Sequence, residues 1–95
     1  VNRGKVCCHL RQVYEGRVQG VGFRYRVSTI AGRLPVTGYV RNLPDGSVEL
    51  IVEGLQSDVD ALLEEIRRGM GSAIVRERQE TGGVTGEFDG FSIRM

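Results

Sequence analysis

Hydrophobic residues recur along this chain with two different periods, and the changes of period divide it into elements. From about residue 6 to residue 18, Cys8, Leu10 and Tyr14 share one parity while Arg11 and Glu15 take the other, and Gln12 interrupts the apolar set. That alternation predicts a half-buried strand. Phe23, Val27, Ile30, Ala31 and Leu34 then recur at helical spacing, with Arg24, Arg26, Ser28 and Arg33 between them. Pro35 bars that helix from continuing. Residues 36–42 read as a second strand, and Leu43-Pro44-Asp45-Gly46 supplies proline and glycine where a tight reversal uses them. Residues 47–53 alternate again, Val48, Leu50 and Val52 against Ser47, Glu49, Ile51 and Glu53.

A second helix follows. Ser57 is placed to cap it, with Asp60 in the reciprocal position and Asp58 near the positive end of the dipole. Val59, Leu62, Leu63 and Ile66 form its apolar stripe, Arg67 and Arg68 occupy its last turn, and Gly69 or Gly71 can end it. Burial of each aliphatic is worth on the order of 1.5–3 kcal/mol. The sum rivals a whole domain's net stability, so the stripe predicts core and not a binding face. Residues 74–80 predict a fourth strand, 81–86 a mobile loop, and 91–95 a short terminal strand. The order β-α-β-β-α-β plus that last strand predicts an α+β fold: a ferredoxin-like two-layer sandwich, an antiparallel sheet with two helices on one face. Residues 1–95 are expected to form a single domain, in which residues 1–5 have no structural role.

Composition narrows the function. Thirteen basic residues against 12 acidic leave a net charge of +1, so no broad basic field suits a nucleic acid. No apolar run approaches the ~20 residues needed to cross a bilayer, so no membrane partner is expected. Cys7 and Cys8 are adjacent, where a mutual bridge would be strained, and the chain has no other cysteine. That usage predicts a reducing cytoplasm, and the chain is expected to act as a monomer. His9 follows the pair, but alternation divides Cys7, Cys8 and His9 between two faces, which is poor spacing for a metal.

The chemistry concentrates in Gly16-Arg17-Val18-Gln19-Gly20-Val21-Gly22-Phe23-Arg24, which joins the first strand to the first helix. Glycines allow positive φ and close approach, and a bend that feeds a helix start presents free N–H groups at the positive end of the dipole. No Ser, Thr, Asp or Asn stands near Gly22 or Phe23 to cap those groups. Arg24 adds a permanent charge with a planar fork suited to phosphate or carboxylate. The stretch therefore predicts an anion site. It lacks the Gly-Lys-Ser/Thr ending of a P-loop and the spacing of a dinucleotide fingerprint. No nucleophile has an evident base and no acidic cluster suits a divalent metal, so an enzyme built on it works by positioning and electrostatics.

Val18-Gln19-Gly20-Val21-Gly22-Phe23-Arg24-Tyr25, followed by Thr37-Gly38-Tyr39-Val40-Arg41-Asn42 and Asp45-Gly46-Ser47-Val48-Glu49, closely resembles the acylphosphatases. The resemblance implies a small metal-independent enzyme, without cofactor, whose small-molecule substrate is an acyl phosphate hydrolysed to a carboxylate and inorganic phosphate. It implies that Arg24 binds the phosphate and Asn42 orients the attacking water. The main chain of Gly16, Val18, Gln19, Gly20, Val21, Gly22 and Phe23 would form the phosphate-binding cradle. Arg17, Arg26 and Arg41 are expected to steer the anionic substrate. Pro35 departs from the family, where glycine is commoner, and the Cys7-Cys8 pair is not a family mark. Two other readings stand beside this one. The same module opens larger carbamoyl-transferring proteins of hydrogenase maturation, and the fold also serves RNA recognition, although residues 47–53 offer no aromatic for base stacking.

Overall fold

The computed structural model describes residues 6–94. Its elements are β1 (Cys7–Gly16), α1 (Phe23–Ala31), β2 (Thr37–Asn42), β3 (Val48–Leu55), α2 (Gln56–Met70), β4 (Ile74–Gly82) and β5 (Phe91–Arg94), with one 3-10 turn, Gly71–Ala73, before β4. The strands form one sheet in the order β4-β1-β3-β2-β5. The expectations for residues 1–5 and for Met95 lie outside the described residues.

Both helices pack on one face of this sheet, as the apolar pattern predicts. Val48, Leu50 and Val52 are fully buried there with Phe23, Val27 and Ile30 of α1 and Val59, Leu62, Leu63 and Ile66 of α2. The rings of Tyr14 and Phe23 meet at a centroid distance of 5.2 Å. Gln12, the interruption in β1, is buried on the same side: its amide donates to Glu77 and accepts from Gln79. Its partners on β4 make a polar residue tolerable in that position.

The sheet is mixed, not antiparallel throughout. β5 lies parallel to β2, with Gly38 opposite Phe91 and Arg41 opposite Arg94. The cause is the crossing between edges: β4 pairs antiparallel with β1, and residues 83–90 then carry the chain to the opposite edge, where it enters running with β2. That crossing is fastened midway. The N–H of Thr85, its hydroxyl and the N–H of Gly86 all donate to the Glu53 carboxylate. Residues 81–82, expected in a loop, belong to β4 because β1 is long enough to pair with them, Leu10 with Thr81 and His9 with Gly82.

Helix boundaries shift slightly. α1 stops at Ala31, and Leu34 packs from the following turn, held by its own N–H to Ala31. α2 begins at Gln56, one residue before its expected Ser57 cap, and the Gln56 N–H donates to Val6. The largest difference lies on the face away from the helices. Residues 49, 51 and 53 are buried, although their alternation predicts exposure. β3 is the central strand, and Glu49 is clasped there between Arg11 Nε and Arg41 Nε, each at 2.6 Å. Burial favours the protonated form of Glu49, but the two guanidiniums outweigh it and hold the carboxyl below its usual range.

Candidate active site

β1, β2 and β5 all finish at the same end of the sheet, where α1 starts. Tyr14, two residues before the end of β1, pairs with Val48, which pairs in turn with Asn42 at the end of β2. Arg41, beside Asn42, pairs with Arg94 at the end of β5. Cross-strand neighbours share a face, so Tyr14, Val48 and Asn42 point to the helix side, beneath the connection from β1 to α1.

That connection is shaped by its glycines. Gly16 has φ 133°, and a Cβ there would lie 2.3 Å from the Ala73 carbonyl oxygen, a clash that excludes every other residue. The Arg17 N–H donates to the same carbonyl. Val18 then buries its side chain completely and pins the loop to the core. Gly20 and Gly22 take φ 76° and 79°. Gly22 is the N-cap of α1 and provides no side-chain cap. Among the described residues, no acceptor receives the N–H groups of residues 18–22. The Phe23 ring is buried in the core, which leaves only its main chain at the loop.

Arg24 follows in the first turn of α1, half-buried, and its Nη1 donates to the Arg94 carbonyl at 3.3 Å. Because Arg94 is paired with Arg41, this bond brings the guanidinium to the strand position next to Asn42. The Oδ1 atom of Asn42 is buried and has no hydrogen-bond partner among the described residues. An orphaned acceptor of that kind costs about 1–3 kcal/mol, and a bound water or ligand that donates to it removes the cost.

The side chain of Gln19 does what the sequence pattern does not reveal. Its Nε2 donates to the carbonyls of Leu43 and Ser47, each at 2.8 Å, and so ties the loop to the β2–β3 turn directly after Asn42. No local signal links residue 19 to residue 43; the contact exists only once the strands are paired. Asp45 closes that turn by accepting from the Ser47 hydroxyl and N–H, which hold its carboxyl below the ordinary value. It is therefore committed to the turn and is no candidate base. Arg41, expected to steer substrate, is engaged by Glu49 instead. Arg17 and Arg26 carry no ion pair among the described residues.

Other chemistry finds little here. Among the described residues, no group of three or more His, Cys, Asp and Glu side chains is placed to hold a metal. His9 Nδ1 lies 2.6 Å from Glu53 Oε2, at the opposite end of the sheet from Asn42. Cys7 and Cys8 are free thiols, and burial, Asp60 and Cys7 together push the Cys8 thiol up, away from nucleophilic use.

The model of the Acylphosphatase family matches residues 10–93. A protein named Acylphosphatase in Bordetella parapertussis is 51% identical over 65 residues, which cover 68% of this chain and 69% of that one. The crystal structure of acylphosphatase from Bacillus subtilis superposes with a TM-score of 0.84 at 30% identity, over 93% of this chain and 99% of the other. Full-length HypF, crystallised in a phosphate- and nucleotide-bound form, matches with a TM-score of 0.78 at 31% identity, over 98% of this chain but 13% of HypF. On sequence and fold alike, this chain belongs to the acylphosphatase family, hydrolases of the carboxyl–phosphate bond.

Proposed function

We propose that the chain hydrolyses acyl phosphates with Arg24 and the main-chain amides of residues 18–23 gripping the phosphoryl group, and with Asn42 holding the attacking water. Gly16 lets the cradle turn away from β1. An acyl phosphate carries its own good leaving group, a carboxylate, so the barrier falls mainly to charge neutralisation and to an in-line nucleophile. The guanidinium fork and the uncommitted amides supply the first. The Asn42 carboxamide accepts from water through Oδ1 and fixes its direction without removing a proton. Water oxygen bonds to phosphorus, the bond from phosphorus to the acyl oxygen breaks, and the water's proton passes to a phosphate oxygen. The products are a carboxylate and inorganic phosphate, with atoms and charge balanced.

The observation that carries this reading is the orphaned Asn42 Oδ1, buried at the end of the sheet where unpaired amides and Arg24 are gathered. Its test is hydrolysis of benzoyl phosphate in the presence of a chelator by the chain and by Arg24→Ala and Asn42→Ala. Arg24→Ala is expected to raise KM, and Asn42→Ala to lower kcat with KM largely kept. Full activity in either variant removes that residue from the mechanism.

The chain acts as a single domain spanning 1–95 and as a monomer, in a reducing compartment, the cytoplasm; two free cysteines support that setting. A second reading rests on HypF, of which a module like this one makes up a small part. In that setting the substrate is carbamoyl phosphate and the chain is part of a larger protein. The length of the intact gene product decides between the two.

A further inference from the structure

We propose that the groove along α1 binds the acyl half of the substrate and selects acyl groups that carry a second anionic charge. This rests on the active-site reading above. The groove has a volume of about 430 Å³ and starts at the loop itself: Val21 and Gly22 line it, together with Tyr25, Thr29, Arg33 and Met70, and Arg26 borders it. A substrate whose phosphoryl group sits on the amides of residues 18–23 has its carbon chain at the mouth of this groove.

Its lining suits such a chain. Val21 and Tyr25 are exposed, at 54% and 74%, and give an apolar rim. Arg26, Thr29 and Arg33 follow at i, i+3 and i+7, one face of α1 continued into its closing turn. Arg26 reaches over α2, where Nη1 lies 3.4 Å from the place a Gly69 Cβ would occupy. Neither arginine has an ion pair or a side-chain hydrogen bond among the described residues. Arg33 also borders a hollow that contains Glu65, without a bond between them. No carboxylate lines the groove.

A second cavity that touches the loop has the opposite character. Glu15, Gly16, Asp45, Gly46 and Ser47 line it; its two carboxylates are already engaged, Glu15 by Arg78 at 3.1 Å and Asp45 by Ser47, and no arginine lines it. That cavity offers a second negative charge no lining arginine, whereas the groove along α1 offers two. Two uncommitted guanidiniums beside an apolar wall fit a short carbon chain that ends in a carboxylate or a phosphate.

The test compares two probes of equal length, butyryl phosphate and succinoyl phosphate, which differ in one terminal carboxylate. Steady-state kinetics are measured on the full chain and on Arg26→Ala, Arg33→Ala and the double variant. Both arginines are exposed, so all variants are expected to fold. The wild type is expected to show a KM about five- to tenfold lower for succinoyl phosphate, a size consistent with charge pairs in contact with solvent. The double variant is expected to erase that difference, through a rise in KM for succinoyl phosphate several times larger than any rise for butyryl phosphate. Equal KM values in the wild type overturn the proposal, and so does a preference that survives in the double variant. If the wild type hydrolyses neither probe, nor benzoyl phosphate, the active-site reading falls and takes this proposal with it.

Discussion

Gln19 and Leu43, 24 residues apart, are joined by a 2.8 Å hydrogen bond from the carboxamide of the first to the carbonyl of the second. The same Nε2 reaches the Ser47 carbonyl. One side chain therefore couples the loop proposed to grip the phosphoryl group to the turn that follows Asn42. Gln19→Ala is expected to lower kcat/KM about tenfold by loosening both halves of the site together, and to cost about 1–2 kcal/mol of stability. Gln19→Glu keeps the shape, loses the donors and is expected to do at least as much damage. Kinetics and urea unfolding check this; a fully active Gln19→Glu enzyme would show that the bond does nothing for the site.

Arg24 is expected to resist replacement by lysine. The charge survives in Arg24→Lys, but the planar fork that can hold the Arg94 carbonyl and a phosphoryl oxygen at once does not. Loss of one preorganised donor to developing charge typically costs about 10²–10³ in rate. Arg24→Lys should therefore fall about a hundredfold in kcat/KM on benzoyl phosphate while its unfolding midpoint stays near that of the parent. Near-normal turnover would mean that charge alone suffices.

Much of this was readable in the chain because its signals are local. The apolar spacing of Val59, Leu62, Leu63 and Ile66 places α2, and the unpaired amides follow from glycines that feed a helix without a capping residue. What stayed hidden depends on strand order. Glu49 and Glu53 alternate as if exposed, yet they are buried because β3 is central and because arginines and residues 85–86 cover them. The parallel docking of β5 likewise depends on a crossing that no periodicity marks. At the site, Arg24 and Asn42 are named by their motifs, while the Gln19 side chain gains its partners only from the paired hairpin.

Gly38 and Gly20 both have positive φ, but substitution should act on different properties. A Cβ at Gly38 would stand 1.9 Å from the Ile51 carbonyl oxygen, inside the sheet, whereas one at Gly20 would meet nothing within 4 Å. Gly38→Ala must displace backbone and is expected to cost several kcal/mol, roughly 3 or more, as strain at a special φ and overpacking do. Gly20→Ala carries a strain of about 1–2 kcal/mol and puts a methyl group in the cradle, so activity should fall more than stability. Thermal unfolding and benzoyl phosphate kinetics on the two variants separate the effects. Comparable loss of activity at matched stability would deny Gly20 a place beside the substrate.

Glu53 should give the fold a measurable acid limit. Burial alone would raise its pKa, but the N–H of Thr85, His9, the N–H of Gly86 and the Thr85 hydroxyl outweigh it and bring the pKa down from 4.5 to about 2. With the folded value below the unfolded one, the unfolded chain takes up its proton first as pH falls. The stabilisation is therefore fully present above about pH 4.5 and is lost progressively toward pH 2. Asp45 and Glu49 are also depressed and add to the acid slope, so the difference between wild type and Glu53→Gln isolates this group. Glutamine presents an NH₂ to donors that need an acceptor, and it should cost about 2–3 kcal/mol at neutral pH. The unfolding free energies of the two proteins, measured in urea from pH 7 to pH 2, should stay well apart above pH 5 and converge at the acid end. A constant gap across that range would mean that the carboxylate's charge contributes nothing to holding residues 83–90 across the sheet.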